Sequence, residues 1–321
     1  MLDIGQIGMF RKCHGKGGAA ATLWVAGGGG TNSLAWSADG VNWNGLGLGI
    51  FSTAGNGIAW NGSIWVAAGQ GTVHTLAWSA DGVNWNGLGK TIFSTAAFSV
   101  AWNGSIWVAG GMGTNSLAWS ADGVNWNGLG LGTFSLRCYG VAWNGSIWVA
   151  AGYGATHTLA WSDDGVNWNG LGKTIFSTLG YGVAWNGSIW VAAGQGAAHS
   201  LAWSDDGVTW HGLGKTIFST AGVAIAWNGS IWVAAGNGAT HTLAWSDDGI
   251  NWNGLGKPIF STVSYGVAWN GSIWVTTGYG ATHTLAWSSD GVNWNGLGKT
   301  TFSTYGYGVA SQPAPNLYPP R

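Results

Sequence analysis

The sequence from Gly140 to Leu179, GVAWNGSIWVAAGYGATHTLAWSDDGVNWNGLGKTIFSTL, is a unit that most of the chain repeats. The tryptophan that opens its Trp-Asn-Gly-Ser motif recurs every 41 or 42 residues. These tryptophans are Trp60, Trp102, Trp143, Trp185, Trp227 and Trp269. A fixed period of this size is typical of repeat proteins, in which each repeat folds as one small supersecondary unit.

Within the unit, apolar residues alternate with polar or small ones, which is the pattern of short β-strands. It predicts four strands, at 140–143, 147–151, 158–161 and 166–168. Between the first two, Asn144-Gly145 predicts a type I′ hairpin turn, because both central residues of that turn need positive φ. Four antiparallel strands in about 42 residues are typical of one blade of a β-propeller.

The turn before the fourth strand, Ser162–Trp168 (SDDGVNW), resembles a shortened Asp box, the S-x-D-x-G-x-x-W repeat of sialidase-type propellers and their non-enzymatic relatives. One residue between the aspartate and the glycine is missing here. The resemblance covers Trp24 to Gly298 and implies a structural role, in which Asp and Ser tie the turn together and Trp packs beneath it. Short polar side chains that hydrogen-bond to their own backbone predict the same role. The box aspartates are Asp39, Asp81, Asp122, Asp164, Asp206, Asp248 and Asp290. The longer repeat is also similar, more loosely, to uncharacterised tryptophan-rich repeat proteins of large DNA viruses and bacteria.

The two ends of the repeat region complement one another. The first copy begins at Thr22, at the second-strand position, whereas Tyr305–Ala310 repeats the start of a first strand. We therefore predict an all-β, seven-bladed propeller of four-stranded blades, in which residues 305–311 complete the first blade and close the ring. An open solenoid is the alternative, but it would gain nothing from complementary ends. The predicted organisation is an N-terminal tail (1–18), the propeller (19–311) and a Pro-rich C-terminal tail (312–321).

Composition argues against several classes of partner. Charged residues make up only 7% of the chain, and the net charge is −1. The sequence therefore offers no electrostatic basis for binding a phosphate backbone, and we expect no nucleic-acid partner. No apolar run is long enough for a secretory signal or a membrane span, and nothing indicates a location. The two cysteines, Cys13 and Cys138, lie outside the repeat pattern and do not indicate a disulfide framework.

The sequence predicts no enzyme. It contains no Glu, and ten of its eleven Asp residues lie in or beside one repeated turn, whereas a glycosidase needs two carboxylates that face one bond. A sialidase-like site would need an arginine cluster, but the chain has only Arg11, Arg137 and Arg321. No nucleophile motif and no strand-to-helix glycine motif is present. We expect no catalytic residue and no cofactor.

Two repeated features admit a structural explanation. A histidine recurs at one loop position, and equivalent positions in a ring are too far apart to bind one metal ion, so we expect a loop-stabilising hydrogen bond and no metal site. These histidines are His74, His157, His199, His241 and His283, with Asn32 and Asn115 in their place in two repeats. The Asn-Gly-Ser sequons are explained as tight turns, and glycosylation would concern only a protein secreted by a eukaryotic host.

Two positions vary between repeats, and both are predicted to lie at one end of the ring. The first, just before the first strand, holds Asn56, Phe98, Tyr139, Tyr181, Val223, Tyr265 and Tyr307. The second, in the loop after the second strand, holds Gln70, Met112, Tyr153, Gln195, Asn237 and Tyr279. Variation on one face next to invariant turns on the other indicates a recognition surface, although drift of the loops explains it equally well.

The leading hypothesis is a non-catalytic binding or scaffold propeller, lectin-like, for a neutral carbohydrate or a protein surface. Aromatic rings stack on sugar faces, and amides satisfy sugar hydroxyls. The predicted ligand-binding residues are Tyr139, Tyr153, His157, Tyr181, Tyr265, Tyr279 and His283. Tyr153 and Tyr181 are expected to bracket one site and Tyr265 and Tyr279 another, unless these tyrosines merely plug a central channel. The alternative function is a purely structural repeat protein, such as a viral or surface component or a deliberately repetitive artificial protein.

Overall fold

The structure, a computed structural model, describes residues 22–257 and 259–312. The predicted N-terminal tail and all of the C-terminal tail except Gln312 lie outside these residues. The described chain is all-β, with 28 strands and no helix. Accordingly, no described helix is long and apolar enough to span a membrane.

Four kinds of strand alternate along the chain. The seven-residue strands, called first strands here, are β4 (Ala54–Trp60), β8 (Ala96–Trp102), β12 (Arg137–Trp143), β16 (Leu179–Trp185), β20 (Ala221–Trp227), β24 (Val263–Trp269) and β28 (Tyr305–Ser311). The second strands are β1 (Trp24–Gly29), β5 (Trp65–Gln70), β9 (Trp107–Met112), β13 (Trp148–Tyr153), β17 (Trp190–Gln195), β21 (Trp232–Asn237) and β25 (Trp274–Tyr279).

The remaining strands are shorter. The third strands are β2 (Leu34–Ser37), β6 (Leu76–Ser79), β10 (Leu117–Ser120), β14 (Leu159–Ser162), β18 (Leu201–Ser204), β22 (Leu243–Ser246) and β26 (Leu285–Ser288). The fourth strands have two residues each and are β3 (Asn44–Gly45), β7 (Asn86–Gly87), β11 (Asn127–Gly128), β15 (Asn169–Gly170), β19 (His211–Gly212), β23 (Asn253–Gly254) and β27 (Asn295–Gly296).

First, second, third and fourth strands pair in that order, all antiparallel, into four-stranded units that repeat about every 42 residues. Three of these units are separate sheets. The others merge into two eight-stranded sheets through single bridges, Gly29 to Ala54 and Met112 to Arg137. The architecture is propeller-like, since each unit is a small twisted sheet packed face to face on its neighbours.

The predicted pairing of the chain ends is confirmed. β28 pairs antiparallel with β1, from Trp24 opposite Ser311 to Gly29 opposite Tyr305. Gln312 extends the ladder, because its N–H donates to the Leu23 carbonyl oxygen at 2.8 Å. Neighbouring first strands also contact one another in a cycle that runs from β28 through β4, β8, β12, β16, β20 and β24 back to β28. An open solenoid would keep its two ends apart, so this pairing excludes that alternative.

Two local predictions are wrong. The fourth strand is not 166–168 but Asn169–Gly170, because 163–167 are taken up by the aspartate turn. The Asn144-Gly145 turn is not type I′, since no described residue other than glycine has positive φ. Instead, the Asn144 side-chain oxygen accepts hydrogen bonds from the N–H groups of Ser146 and Ile147, each at 2.8 Å. Such an Asx turn needs positive φ only at Gly145, where φ is 103°.

The core lies between units and uses one tryptophan per second strand. Trp148 is fully buried against Val108 of the preceding unit and Phe134 of the linker. The other tryptophans of the repeat, Trp143, Trp161 and Trp168, are only half-buried. Full burial is therefore confined to the second-strand tryptophans among the described residues, which are Trp24, Trp65, Trp107, Trp148, Trp190, Trp232 and Trp274.

Candidate functional site

The strand register defines two ends of the molecule. In β12–β15, Trp143 pairs with Trp148, which in turn pairs with Ser162, so the Asn-Gly-Ser turn and the aspartate turn lie together at what we call the constant end. Arg137 pairs with Tyr153 at the opposite, variable end. This confirms that the start of each first strand and the loop after each second strand share one end.

A β-bulge in every first strand carries the first variable position. In β12 the register shifts between Cys138 and Gly140, which leaves Tyr139 as the extra residue. The same shift occurs in the other six first strands. These residues were predicted to precede the first strand, and that is wrong: each is the third residue of its strand. A bulge bends the strand and redirects one side chain, and here it redirects this one into a central channel.

The channel has a volume of about 830 Å³. Its upper wall consists of the bulge residues Asn56, Phe98, Tyr139, Tyr181, Val223, Tyr265 and Tyr307, together with Tyr305. Beneath them lies an apolar ring of Ile58, Val100, Val141, Val183, Ile225, Val267 and Val309. Neighbouring first strands approach one another between the two rings, where each strand has a small residue. At Gly140 an added Cβ would overlap the Tyr181 carbonyl oxygen of the next strand, so glycine lets the strands approach.

The aromatic side chains form two separate arcs. In one, Tyr139 lies between Phe98 and Tyr181, with ring centroids 4.9 Å apart on each side. In the other, Tyr265 contacts Tyr307 at 5.1 Å and Tyr305 at 6.5 Å, and Tyr305 contacts Tyr279 at 4.8 Å. These centroid distances are typical of favourable aromatic pairs. Val223 and Asn56 stand in the two gaps between the arcs.

The tyrosine hydroxyls of the channel have no hydrogen-bond partner among the described residues, although their rings are half-buried. Burial raises the pKa of Tyr139 to about 12, opposed by the nearby positive charge of Arg137. Burial, with the neighbouring phenols Tyr307 and Tyr305, also raises the pKa of Tyr265 to about 12. The hydroxyls therefore stay neutral at physiological pH and each can both donate and accept a hydrogen bond.

Tyr153 and Tyr279 lie at the rim of the channel and not in its wall. The Arg137 guanidinium carbon lies 5.1 Å from the Tyr139 ring centroid and 5.5 Å from that of Tyr153. The Lys173 ammonium lies 5.9 Å from the Tyr153 ring centroid, and the Lys299 ammonium lies 5.6 Å from the Tyr279 ring centroid. The predicted pairing of Tyr279 with Tyr265 is indirect, through Tyr305. Tyr153 is linked to Tyr181 only through Arg137 and Tyr139.

His157 and His283 point into their own loops. The Nδ1 atom of His157 accepts a hydrogen bond from the Gly172 N–H at 2.9 Å, and that of His283 accepts one from Gly298 at 2.8 Å. In the repeat with Asn32, the side-chain oxygen accepts the equivalent bond from Gly47 at 2.7 Å. The predicted loop-stabilising hydrogen bond is therefore confirmed. Among the described residues, no group of three His, Cys or Asp side chains is placed to hold a metal ion.

The aspartate turns satisfy their polar groups internally. One oxygen of Asp164 accepts hydrogen bonds from the Val166 and Asn167 N–H groups at 2.8 and 2.7 Å, and the Ser162 hydroxyl donates to it at 3.0 Å. Partial burial would raise the pKa of Asp164, but the bonds from Asn167 and Val166 outweigh it and lower the pKa to about 2. Trp168 donates its indole N–H to the Gly165 carbonyl oxygen at 3.1 Å. The side chains of Ser162, Asp164 and Trp168 are therefore satisfied within their own turn.

The sequence reasoning missed two parts of the variable end. Arg137 was counted only as one of too few arginines, and Tyr305 only as part of the closing strand. The signal for Arg137 is that its position holds Ala, Leu, Val or Tyr in the other first strands. A charged residue at an otherwise uncharged repeat position marks a place where the repeat departs from its structural role.

No protein-family model matches this chain, and no curated protein matches it. Solved structures share its fold. A chain of a nidogen/laminin complex aligns with a TM-score of 0.56 at 9% identity, over 91% of this chain and 98% of that one. A chain of a mitotic checkpoint complex gives 0.55 at 15%, over 75% and 77%. The computationally designed Ika8 protein gives 0.50 at 14%, over 81% and 78%. At these identities the similarity concerns fold alone, and the fold is that of repeated antiparallel blades.

Proposed function

We propose that the chain is a seven-bladed propeller of the Asp-box-like type that acts as a non-catalytic, lectin-like binding module. The closed cycle of seven first strands supports the blade count. The hydrogen-bonded aspartate turns support the Asp-box relationship. A repeat fold of this kind suits a binding or scaffold role, because its rigid strands present side chains that vary at one end.

The ligand we propose is a neutral saccharide bound at the variable end of the channel. The observation that carries this proposal is the set of tyrosine hydroxyls without internal partners in a cavity of about 830 Å³. That volume lies in the range of small-ligand pockets. Each tyrosine offers a ring face for a sugar C–H surface and a hydroxyl for a sugar hydroxyl. A protein loop that inserts a polar side chain would use the same groups.

The absence of catalysis is part of the proposal. The box carboxylates lie at the constant end, on the far side of the strands from the channel tyrosines. The thiol of Cys138, behind Tyr139, is fully buried, and burial raises its pKa, which makes it a poor nucleophile. The groups at the variable end are phenols, amides and fixed cations, which suit binding.

The test is a glycan array followed by calorimetric titration of the neutral hits. The variant is Tyr139→Phe with Tyr181→Phe, since Phe98 already occupies this position in another repeat and the rings are kept. Loss of two neutral hydrogen bonds should weaken binding by roughly tenfold or more, with the melting temperature nearly unchanged. Val73→Thr, at an exposed loop position, serves as a control that should bind normally. A blank array would favour the purely structural alternative.

A further inference from the structure

The channel wall changes from polar to apolar along its depth. At the variable end it carries the phenols of the bulge residues and of Tyr305, whose hydroxyls have no partner among the described residues. At the apolar ring beneath them, every first strand contributes a valine or an isoleucine. The same cavity therefore offers hydrogen bonds at one level and only aliphatic side chains at the next.

The apolar ring belongs only partly to the core. Ile58 and Val141 keep an exposed fraction of 9%, whereas Val149, one strand further out, is exposed by 0%. Val183 and Val309 are half-buried. All of these ring residues line the channel, so the surface that they leave uncovered faces its interior. Aliphatic surface in contact with water is unfavourable, and an apolar group that covers it gains free energy.

The two levels are close enough for one small molecule to reach both. In β12 only Gly140 lies between the bulge residue Tyr139 and the ring residue Val141. At about 3.3 Å of rise per residue, the two levels are roughly 7 Å apart. A sugar held at the tyrosines can therefore place the substituent on its anomeric oxygen, the aglycone, beside the apolar ring. The cavity of about 830 Å³ lies in the upper part of the range for small-ligand sites and has room for both parts.

We infer that the ligand of the channel is a neutral amphiphile, a saccharide whose aglycone is an alkyl chain. The sugar hydroxyls bind the tyrosine hydroxyls, and the alkyl chain covers the apolar ring. This inference rests on the proposed function and names its ligand class.

The two levels together select against simpler ligands. A long, wholly polar oligosaccharide would bring hydroxyls against the apolar ring, where no side chain can replace their bonds to water. A plain hydrocarbon would cover the ring but would leave the hydroxyls of Tyr139 and Tyr181 without partners in a half-buried site. An alkyl glycoside satisfies both levels.

The first test uses the unchanged full chain and a series of methyl, butyl, hexyl and octyl β-glucosides. Each is titrated calorimetrically below its micelle concentration. The sugar is the same throughout, so any trend in affinity reports the alkyl chain. Each methylene that reaches the apolar ring should tighten binding by about threefold to fourfold. We expect octyl glucoside to bind at least about tenfold more tightly than methyl glucoside. Equal affinity along the series would overturn the inference.

The second test changes the apolar ring at its two most exposed valines. Val183→Thr with Val309→Thr keeps the shape of the side chains and adds hydroxyls to the channel wall. The ratio of octyl to methyl affinity should fall by roughly fivefold or more, with methyl glucoside binding unchanged. Val183→Ile with Val309→Ile is the matched variant, since Ile58 occupies this position in another repeat, and it should keep the ratio. An unchanged ratio in the threonine variant would contradict the inference.

Two controls separate the channel from other apolar surface. Val208→Thr alters a valine with an exposed fraction of 39% in an aspartate turn, and it should leave the ratio unchanged. 1-Octanol should bind more weakly than octyl glucoside, because it lacks the sugar. Equal binding of 1-octanol, a lowered ratio in Val208→Thr or binding of none of the glucosides would each overturn the inference. Methyl glucoside that binds without any gain from longer chains would overturn it while leaving the proposed function standing. The array of neutral saccharides tests that function separately.

Discussion

The two ends of this molecule are made by the same strands and differ in how they use their polar groups. At the constant end, the Ser162 hydroxyl, the Asp164 carboxylate and the Asn144 amide all form hydrogen bonds within their own turns. At the variable end, the hydroxyls of Tyr139 and Tyr181 and the guanidinium of Arg137 have no such partner among the described residues. Saturated groups stabilise a fold, and unsatisfied groups beside a cavity are available to a ligand.

This difference indicates at which end of a repeat protein substitutions are tolerated. Substitution at the constant end removes hydrogen bonds or disturbs the tryptophan core, so identical turns are retained. Substitution at the variable end alters only what faces the channel or the rim. We therefore expect the effects on stability to be large at the constant end and small at the variable end, and the effects on binding to be the reverse.

The closing strand spans both ends and should show the largest effect. Removal of residues 305–321 would leave β1 with an unpaired edge and open the ring. We expect a loss of roughly 5 kcal/mol or more in the free energy of unfolding, or loss of folding altogether. Removal of 313–321 alone, which keeps the Gln312 bond to Leu23, is the control and should be nearly neutral. Equal melting temperatures for the two truncations would contradict a closed ring.

Substitution of one glycine at each end allows a direct comparison of the two ends. Gly165, in the aspartate turn, has φ of 75°, and an added Cβ would lie 2.9 Å from both Trp148 and Ile106 side chains. Gly172, at the variable end, has φ of 76° but nothing within 4 Å of such a Cβ. Gly165→Ala should therefore cost about 2 to 4 kcal/mol and Gly172→Ala about 1 kcal/mol, measured by denaturant unfolding. Equal costs would mean that the Trp148 and Ile106 side chains beneath the turn can move aside for the added methyl group.

Much of the constant end could be predicted from the sequence, because its turns are local. Ser162 and Asp164 are close in the chain, and their side chains can reach the backbone without help from other repeats. Ring closure was also predictable, since the start of a first strand recurs at Tyr305. The turn type at Asn144 was not, because the pair Asn-Gly suits both a type I′ turn and an Asx turn.

The channel could not be predicted in the same way. The alternation from Gly140 to Trp143 is identical with or without a bulge at Tyr139, so the sequence does not show that Tyr139 turns inward. Arg137 was overlooked although the sequence carries a signal for it, since its position is uncharged in the other first strands.

Acid should weaken the constant end selectively. Partial burial opposes ionisation of Asp164, but its hydrogen bonds outweigh burial and lower its pKa from the ordinary 3.8 to about 2 in the folded chain. A lowered folded-state pKa adds stability above about pH 4, and that stability is lost as the pH falls through about 2. Asp164→Ala should cost about 1 kcal/mol at pH 7 and less at pH 2, by denaturant unfolding at both values. Asp163→Ala should change little at either pH, because the hydrogen bonds of the turn are accepted by Asp164 and not by Asp163.

The smallest effect on stability is expected from Tyr139→Phe at the variable end. The ring contacts with Phe98 and Tyr181 remain, and the hydroxyl that is removed has no partner among the described residues. The free energy of unfolding should therefore change by less than about 0.5 kcal/mol, which is the usual range for a substitution that breaks no internal contact. Thermal unfolding monitored by circular dichroism measures it. A drop of several degrees in melting temperature would mean that the hydroxyl is bonded inside the protein and that the tyrosines plug the channel. An unchanged melting temperature with weaker saccharide binding would assign the hydroxyl to the ligand.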